Sequence, residues 1–254
     1  MKSYESNVSA VVENVESFLT KSFSPFTIEG PAIDPHLLKN ASIIAVCTHR
    51  SQLDYFIVGY LLRRLGANNL RFAAGDNLTK LPYIGKRFVE FGAFSIERES
   101  VFAKSYVRTL CERVITMLGD NDSIIVFPEG GRSYKGGMKK KKKGIIGAGV
   151  LSQVRDPHST VLFLPVAISY ECLPELLYFD MLQKGKALRT PKNSFLKRTL
   201  GNSYYFGADI LAFSKFLYKY KSGKRQGGVY IDYGKPFAVN EIVDLKAHFN
   251  RHAR

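Results

Sequence analysis

A histidine and an aspartate stand five positions apart in the segment THRSQLDY, residues 48–55, directly behind the apolar run SIIAVC. On a continuous helix that separation turns the two side chains about 140° apart, too far round to touch. They meet only if His49 lies in a strand-to-helix turn and Asp54 sits in the first helical turn, reaching back. In that arrangement the carboxylate accepts from one imidazole nitrogen and fixes the tautomer. The other nitrogen is then left to take a proton from a substrate hydroxyl. No serine or cysteine nearby occupies a nucleophile-elbow pattern, so the sharper reading is a dyad acting directly on a hydroxyl. An isolated pair with this spacing is more often a capping acid beside a surface imidazole.

Three further segments could bear on a ligand. In GAFSIERES, residues 92–100, Arg98 follows a short strand, where a guanidinium fork suits a phosphate; alone it reads as a solvated arginine. In FPEGGRS, residues 127–133, two glycines behind a strand permit an unusual turn and close backbone approach to a ligand. Glu129 and Arg132 then project at the strand's C-terminal edge, where open α/β sheets bind ligands. A Gly-rich connection with an internal ion pair explains the same residues. No GKS or GKT follows, so it is not a nucleotide-binding P-loop. In LFLPVAISYE, residues 162–171, Pro165 inside an apolar strand suggests a strand end, an edge or a bulge.

The elements around these segments alternate. Strands are expected at Ser42 to Cys47, Leu70 to Ala74, Ala93 to Ile96, Ser123 to Phe127, Thr160 to Ile168 and Gly228 to Tyr233. Helices are expected over Gln52 to Leu65, Pro82 to Glu90 and Val101 to Leu118, the last stopped by Gly119, and Asn240 opens a final short helix. Residues 8–21 place Val8, Val11, Val12, Val15, Phe18 and Leu19 at helical spacing, an amphipathic helix whose polar face carries Glu13 and Glu16. The fold class is therefore α/β: a single three-layer domain with a mixed, largely parallel sheet flanked by helices. Residues 1–40 form an N-terminal helical segment, 41–175 the core with the four segments, and 184–227 a basic and aromatic stretch.

Composition limits the class. The 254 residues suffice for one sizeable core, and 45% hydrophobic content argues against disorder. No apolar run approaches the roughly 18–20 residues that span a bilayer, and the N-terminus lacks the apolar core of a secretory signal. The three cysteines, Cys47, Cys111 and Cys172, are widely spaced and fit a reducing, cytoplasmic compartment without a metal pattern. Charge is the anomaly: 37 Lys and Arg against 22 Asp and Glu give a formal net charge of +15. Such a surface attracts nucleic acid, an anionic membrane face or an acidic carrier protein. Two stretches concentrate it: MKKKKKG at 138–144, and 184–225, where basic residues interleave with Phe195, Tyr204, Tyr205, Phe206, Phe213, Phe216, Tyr218 and Tyr220. Basic residues with interfacial aromatics suit a peripheral membrane surface.

Taken in order, the four segments resemble the four blocks of the glycerol-phosphate acyltransferase superfamily: HxxxxD, a block ending in Arg, FPEGxRS, and a Pro within an apolar strand. The resemblance runs from about Ala41 to Glu171. HRSQLDY, AGDNL (74–78), GAFSIER and EGGRS are closest to the glycerol-3-phosphate and dihydroxyacetone-phosphate branch. The lysophosphatidate branch more often has Asn before the His and EGTRS in the third block; here those positions are Thr48 and Gly131. The second block often carries two arginines where this chain has Glu97 and Arg98, so only Arg98 carries over.

The resemblance implies that His49 is the general base and Asp54 its orienter, and that the glycerol hydroxyl attacks a thioester without an acyl-enzyme. Arg98, Glu129, Gly130 and Arg132 would form the glycerol-phosphate pocket, with Arg50 and Ser51 assisting on phosphate or oxyanion. Acyl-CoA or acyl-carrier protein would be the co-substrate, with no metal or organic cofactor. The expected setting is the cytoplasmic face of an anionic membrane, peripherally bound. Alternatives are a lysophosphatidate acyltransferase, a phosphoesterase or other hydrolase using His49, and a basic nucleic-acid-binding protein, which leaves the ordered carboxylates of the four blocks unexplained.

Overall fold

The computed structural model describes residues 15–67, 69–75, 89, 92–97, 103–132, 137–173, 175 and 218–241. Helix α1 covers residues 15–22, and β1 (Phe26–Glu29), α2 (Pro35–Lys39), β2 (Ser42–Cys47), α3 (Asp54–Arg64), β3 (Leu70–Gly75) and β4 (Ala93–Ile96) follow. Next come α4 (Lys104–Gly119), β5 (Ser123–Val126), α5 (Gly144–Arg155), β6 (Val161–Tyr170), β7 (Val229–Tyr233) and β8 (Phe237–Ala238). A short 3₁₀ turn at Val239–Glu241 closes the described chain.

The strands form one sheet in the order β1-β7-β6-β2-β5-β3-β4, with β8 also beside β6. From β6 to β4 every neighbouring pair is parallel, as is β1 with β7; β7 and β8 run antiparallel to β6. Alternation along the strands builds the layers, since successive side chains face opposite sides. Ile43, Ala45 and Cys47 of β2, Ile125 of β5, and Leu162, Leu164, Val166 and Ile168 of β6 join one core cluster with residues of α1, α2 and α3. Ile44, Ile124, Val126, Val161 and Phe163 join the other, with Val114 and Leu118 of α4 and Ile145 and Ala148 of α5. Both faces are thus covered, which explains why these strands read as continuous apolar runs. The architecture is the expected α/β one, a mixed and mostly parallel sheet flanked by helices. No helix among the described residues is long and apolar enough to cross a membrane.

Several details differ from the sequence reading. Gly119 is not the stop of α4: it is the last helical residue, and the left-handed position falls on Asn121, at φ 60°. There the amide of Asp122 donates to the Met117 carbonyl at 3.0 Å and that of Asn121 to Leu118 at 3.1 Å, a C-terminal cap built on Asn. Helix α5 was not expected, because its sequence, GIIGAGVLSQVR, is glycine-rich. Gly149 lies against the Ile44 side chain, and a Cβ there would stand 3.1 Å from the Phe163 ring, so the glycine lets α5 approach the sheet closely. Of the helix expected over 82–90, Val89 alone is described, and it is helical. Pro165 is neither at an edge nor at a strand end. It lies where one flank of β6 changes partner, from β8 at Leu162 and Phe163 to β7 at Val166, and its carbonyl accepts from Gly234 at 3.0 Å. A residue without an N–H fits that gap in the ladder.

Gly92, which leads into β4, has φ 95°, and a Cβ there would run into the backbone carbonyl of Leu70. Its own carbonyl accepts from Phe72 at 3.1 Å, so the backbone cannot swing away without breaking the β3–β4 pairing. Gly92→Ala is therefore expected to destabilise the fold by about 1–3 kcal/mol, read from the urea midpoint. An unchanged midpoint would show that this turn tolerates a side chain.

Candidate active site

Parallel strands put their C-terminal ends on one edge of the sheet, and three of the four segments reach that edge. β2 runs into residues 48–53, β5 into Phe127–Arg132, and β6, parallel to β2 with Cys47 opposite Val166, ends at Tyr170. Segments that are distant in sequence are brought together because β5 and β6 flank β2.

His49 lies in the non-helical turn and Asp54 is the first residue of α3, the geometry the spacing requires. Nδ1 of His49 is 2.9 Å from Oδ2 of Asp54, with the histidine 6% and the aspartate 0% exposed. The same Oδ2 accepts the backbone N–H of Arg50 at 2.6 Å and of Ser51 at 2.9 Å. Oδ1 accepts the hydroxyl of Tyr170 at 2.6 Å. A fully buried carboxylate needs such compensation, since an unpaired charge there is costly. The imidazole stacks on Phe127, ring centroids 4.1 Å apart, and meets Tyr55 edge-on at 5.5 Å. With Nδ1 committed to Asp54 and the ring clamped by Phe127, Nε2 is the nitrogen left for a substrate proton.

Burial and the neighbouring Asp54 charge push the Tyr170 phenol well above its ordinary value, which keeps it a hydrogen-bond donor. The same two causes push up the thiol of Cys47, two residues before His49, so it stays neutral and offers no thiolate nucleophile. Tyr170→Phe removes the only donor given to Asp54 Oδ1 among the described residues. It is expected to cost about 1–3 kcal/mol in urea unfolding while leaving the sheet register intact.

The other sequence-predicted residues divide. Gly130 adopts φ 63°, and a Cβ there would stand 2.9 Å from atoms of the Lys142 side chain, so the glycine admits both the turn and the lysine lying over it. The lysine run packs back on this turn: the amide of Lys139 donates to Glu129 Oε2 at 2.9 Å and that of Lys142 to the Pro128 carbonyl at 2.7 Å. Glu129 is 5% exposed, and its Oε1 has no hydrogen-bond partner among the described residues. Nη1 of Arg50 is likewise buried without one. Arg132 is buried, with Nη1 3.6 Å from Oε1 of Glu175. Ser51 is turned inward: its N–H is bound to Asp54, and its hydroxyl donates to Glu175 while accepting from the amide of Leu53 at 3.1 Å. It is fully buried, which suits holding the turn better than binding a ligand. Arg98 and the AGDNL residues 76–78 lie outside the described residues, as does 184–217 of the basic and aromatic stretch.

Sequence reasoning missed Tyr170 and Glu175. Tyr170 lies inside the fourth segment, yet nothing local links it to Asp54, 116 residues away; only the β2–β6 pairing does. Glu175 offered no signal beyond being an acid just after that segment.

A family model described as Acyltransferase matches residues 27–169. A glycerol-3-phosphate acyltransferase of Xanthomonas axonopodis pv. citri is 32% identical over 202 residues, covering 79% of this chain and 21% of that protein. One from Alteromonas mediterranea is 27% identical over 202 residues, covering 80% of this chain and 22% of that protein. The chain thus spans about a fifth of the length of these curated relatives. Among solved structures, the 1-acyl-sn-glycerophosphate acyltransferase PlsC of Thermotoga maritima superposes with a TM-score of 0.50 at 18% identity, covering 99% of this chain and 82% of that one. At that identity the likeness concerns the fold. The family match covers more than half of the chain and every described part of the His49–Asp54 and Phe127–Arg132 turns, and the chain belongs to the acyltransferase family.

Proposed function

We propose that this chain transfers a fatty acyl group from acyl-CoA or an acyl-carrier protein to the sn-1 hydroxyl of glycerol 3-phosphate, a step of phospholipid synthesis. The observation that carries the reading is the buried His49–Asp54 pair, 2.9 Å apart at the end of β2 beside the glycine turn that follows β5. In the proposed reaction, Nε2 of His49 takes the proton as the hydroxyl oxygen attacks the thioester carbon. The C–S bond breaks as the tetrahedral intermediate collapses, and the imidazolium returns the proton to the departing thiolate. Asp54 holds the tautomer and stabilises the imidazolium.

Arg132 and Arg98 are assigned to the phosphate, and Arg50, with its buried unpartnered Nη1, is a further cation for it. The unpartnered Oε1 of Glu129 is assigned to a glycerol hydroxyl. Gly130 is assigned to the pocket through its backbone, whose positive φ shapes the turn. Ser51 is assigned to the turn, as its inward bonds favour. We assign residues 1–254 to a single acyltransferase domain. The exposed lysines 139–143 and the basic stretch are assigned to an anionic membrane surface on the cytoplasmic side, where each basic residue near the lipid contributes about 1 kcal/mol.

The test is an acceptor panel: purified protein, an acyl thioester, and glycerol 3-phosphate, dihydroxyacetone phosphate or lysophosphatidate in turn. Glycerol 3-phosphate is expected to give the highest kcat/KM. Acylation of lysophosphatidate alone would overturn the acceptor assignment.

A further inference from the structure

Glu175 stands five residues beyond the end of β6 in a connecting segment, yet it is only 4% exposed. Carboxylates are seldom buried so completely without a reason in their partners. Its partners come from two of the four segments. The hydroxyl of Ser51 donates to Oε2 at 2.9 Å and lies 3.1 Å from Oε1, and the amide of Gln52 donates to Oε1 at 2.8 Å. From the other side Arg132 brings Nη1 to 3.6 Å. Burial pushes the carboxyl above its ordinary value, and the Gln52 amide, Arg132 and Ser51 pull it back.

The four successive backbone amides of the turn that leads into α3 are therefore divided among internal acceptors. Those of Arg50 and Ser51 go to Asp54, that of Gln52 to Glu175, and that of Leu53 to the Ser51 hydroxyl. Ser51 is the hinge between the two acids, one bound through its N–H and the other through its hydroxyl. Successive amides converging in a turn ordinarily attract an external anion; here the protein's own carboxylates occupy those of Arg50, Ser51 and Gln52. The consequence is that the acceptor's phosphate must find its charge elsewhere, on guanidinium groups that Glu175 helps to aim.

We propose that Glu175 is a positioning residue that ties the His49 turn to Arg132, so that the base and the phosphate-binding cation are set by one buried carboxyl group. The inference rests on the roles given to His49 and Arg132 under Proposed function. Glu175→Gln keeps an oxygen for the Gln52 amide but loses the charge that faces Arg132. It should raise the KM for glycerol 3-phosphate by about tenfold, the effect of weakening one charge-assisted contact, with kcat kept within about threefold. Glu175→Ala frees the turn as well and should lower kcat in addition to raising KM. The amide thus rescues kcat but not KM, a split that a merely structural role would not produce.

The rise in Tm that glycerol 3-phosphate produces in the free protein gives a readout without turnover. It should persist in His49→Ala and be lost in Glu175→Ala. If both Glu175 variants fold and keep the wild-type KM and ligand-induced rise in Tm, the proposal is wrong. It is equally overturned if they lose stability and kcat together with KM unmoved, or if glycerol 3-phosphate does not raise the Tm of the wild-type protein. A wild-type protein that is stabilised by glycerol 3-phosphate but transfers no acyl group counts against the acyl-transfer reading, while the Tm comparison still decides Glu175.

Discussion

Replacing His49 by alanine is expected to lower kcat by about 10²–10⁴-fold, the range that general-base catalysis supplies, with the acceptor KM near its wild-type value. The fold should survive, and the reason lies in the bonds of Asp54. Its Oδ2 still accepts from Arg50 and Ser51, and its Oδ1 from Tyr170, so the buried carboxylate keeps partners after the imidazole is gone. What is lost is one hydrogen bond and the stacking on Phe127, together about 1–2 kcal/mol. Steady-state kinetics and urea unfolding of the same preparation check both halves. A variant that keeps kcat within a few-fold of wild type would remove His49 from the chemistry.

Asp54→Ala should behave differently, because Asp54 organises the turn as well as the base. Its removal strips the acceptor from the amides of Arg50 and Ser51 and from the Tyr170 hydroxyl, all around a side chain with no exposure. Each buried donor left unsatisfied costs about 1–3 kcal/mol, so a loss of about 3–5 kcal/mol is expected, a large part of a typical domain's stability. Asp54→Asn separates the two roles. The amide oxygen can still face the three donors at the Oδ2 position, and the amide nitrogen can donate to the Tyr170 hydroxyl oxygen. The asparagine variant should therefore unfold within about 2 kcal/mol of wild type while its kcat falls steeply, since a neutral side chain no longer stabilises the imidazolium. Equal stability losses for the two variants would show that charge, rather than hydrogen bonding, holds the turn.

The parts of this site that were legible in the sequence are those set by local geometry. The run SIIAVC had to be a buried strand, and five positions between His49 and Asp54 had to span a turn into a helix, which is where both residues sit. The FPEGG turn was legible for the same reason, since two glycines after an apolar strand mark a special backbone, and Gly130 has the positive φ. What stayed hidden depends on which strands become neighbours. Tyr170 and Glu175 reach the His49 turn only because β6 pairs with β2, a choice made by tertiary packing that no local spacing encodes. Helix α5 was hidden for a related reason: its glycines lower helix propensity, and only the proximity of Ile44 and Phe163 explains why Gly149 is there. Ser51 read as a ligand residue from its place beside the base, whereas its neighbours across the fold turn it inward.

The most direct measurement counts thiol release and ester formation together, with the wild-type protein, an acyl-CoA and sn-glycerol 3-phosphate. Direct transfer assisted by His49 predicts one thiol released for each 1-acylglycerol 3-phosphate formed, both dependent on the acceptor and both lost in His49→Ala. Thiol release that continues without the acceptor, yielding free fatty acid, would contradict it and point to a hydrolase.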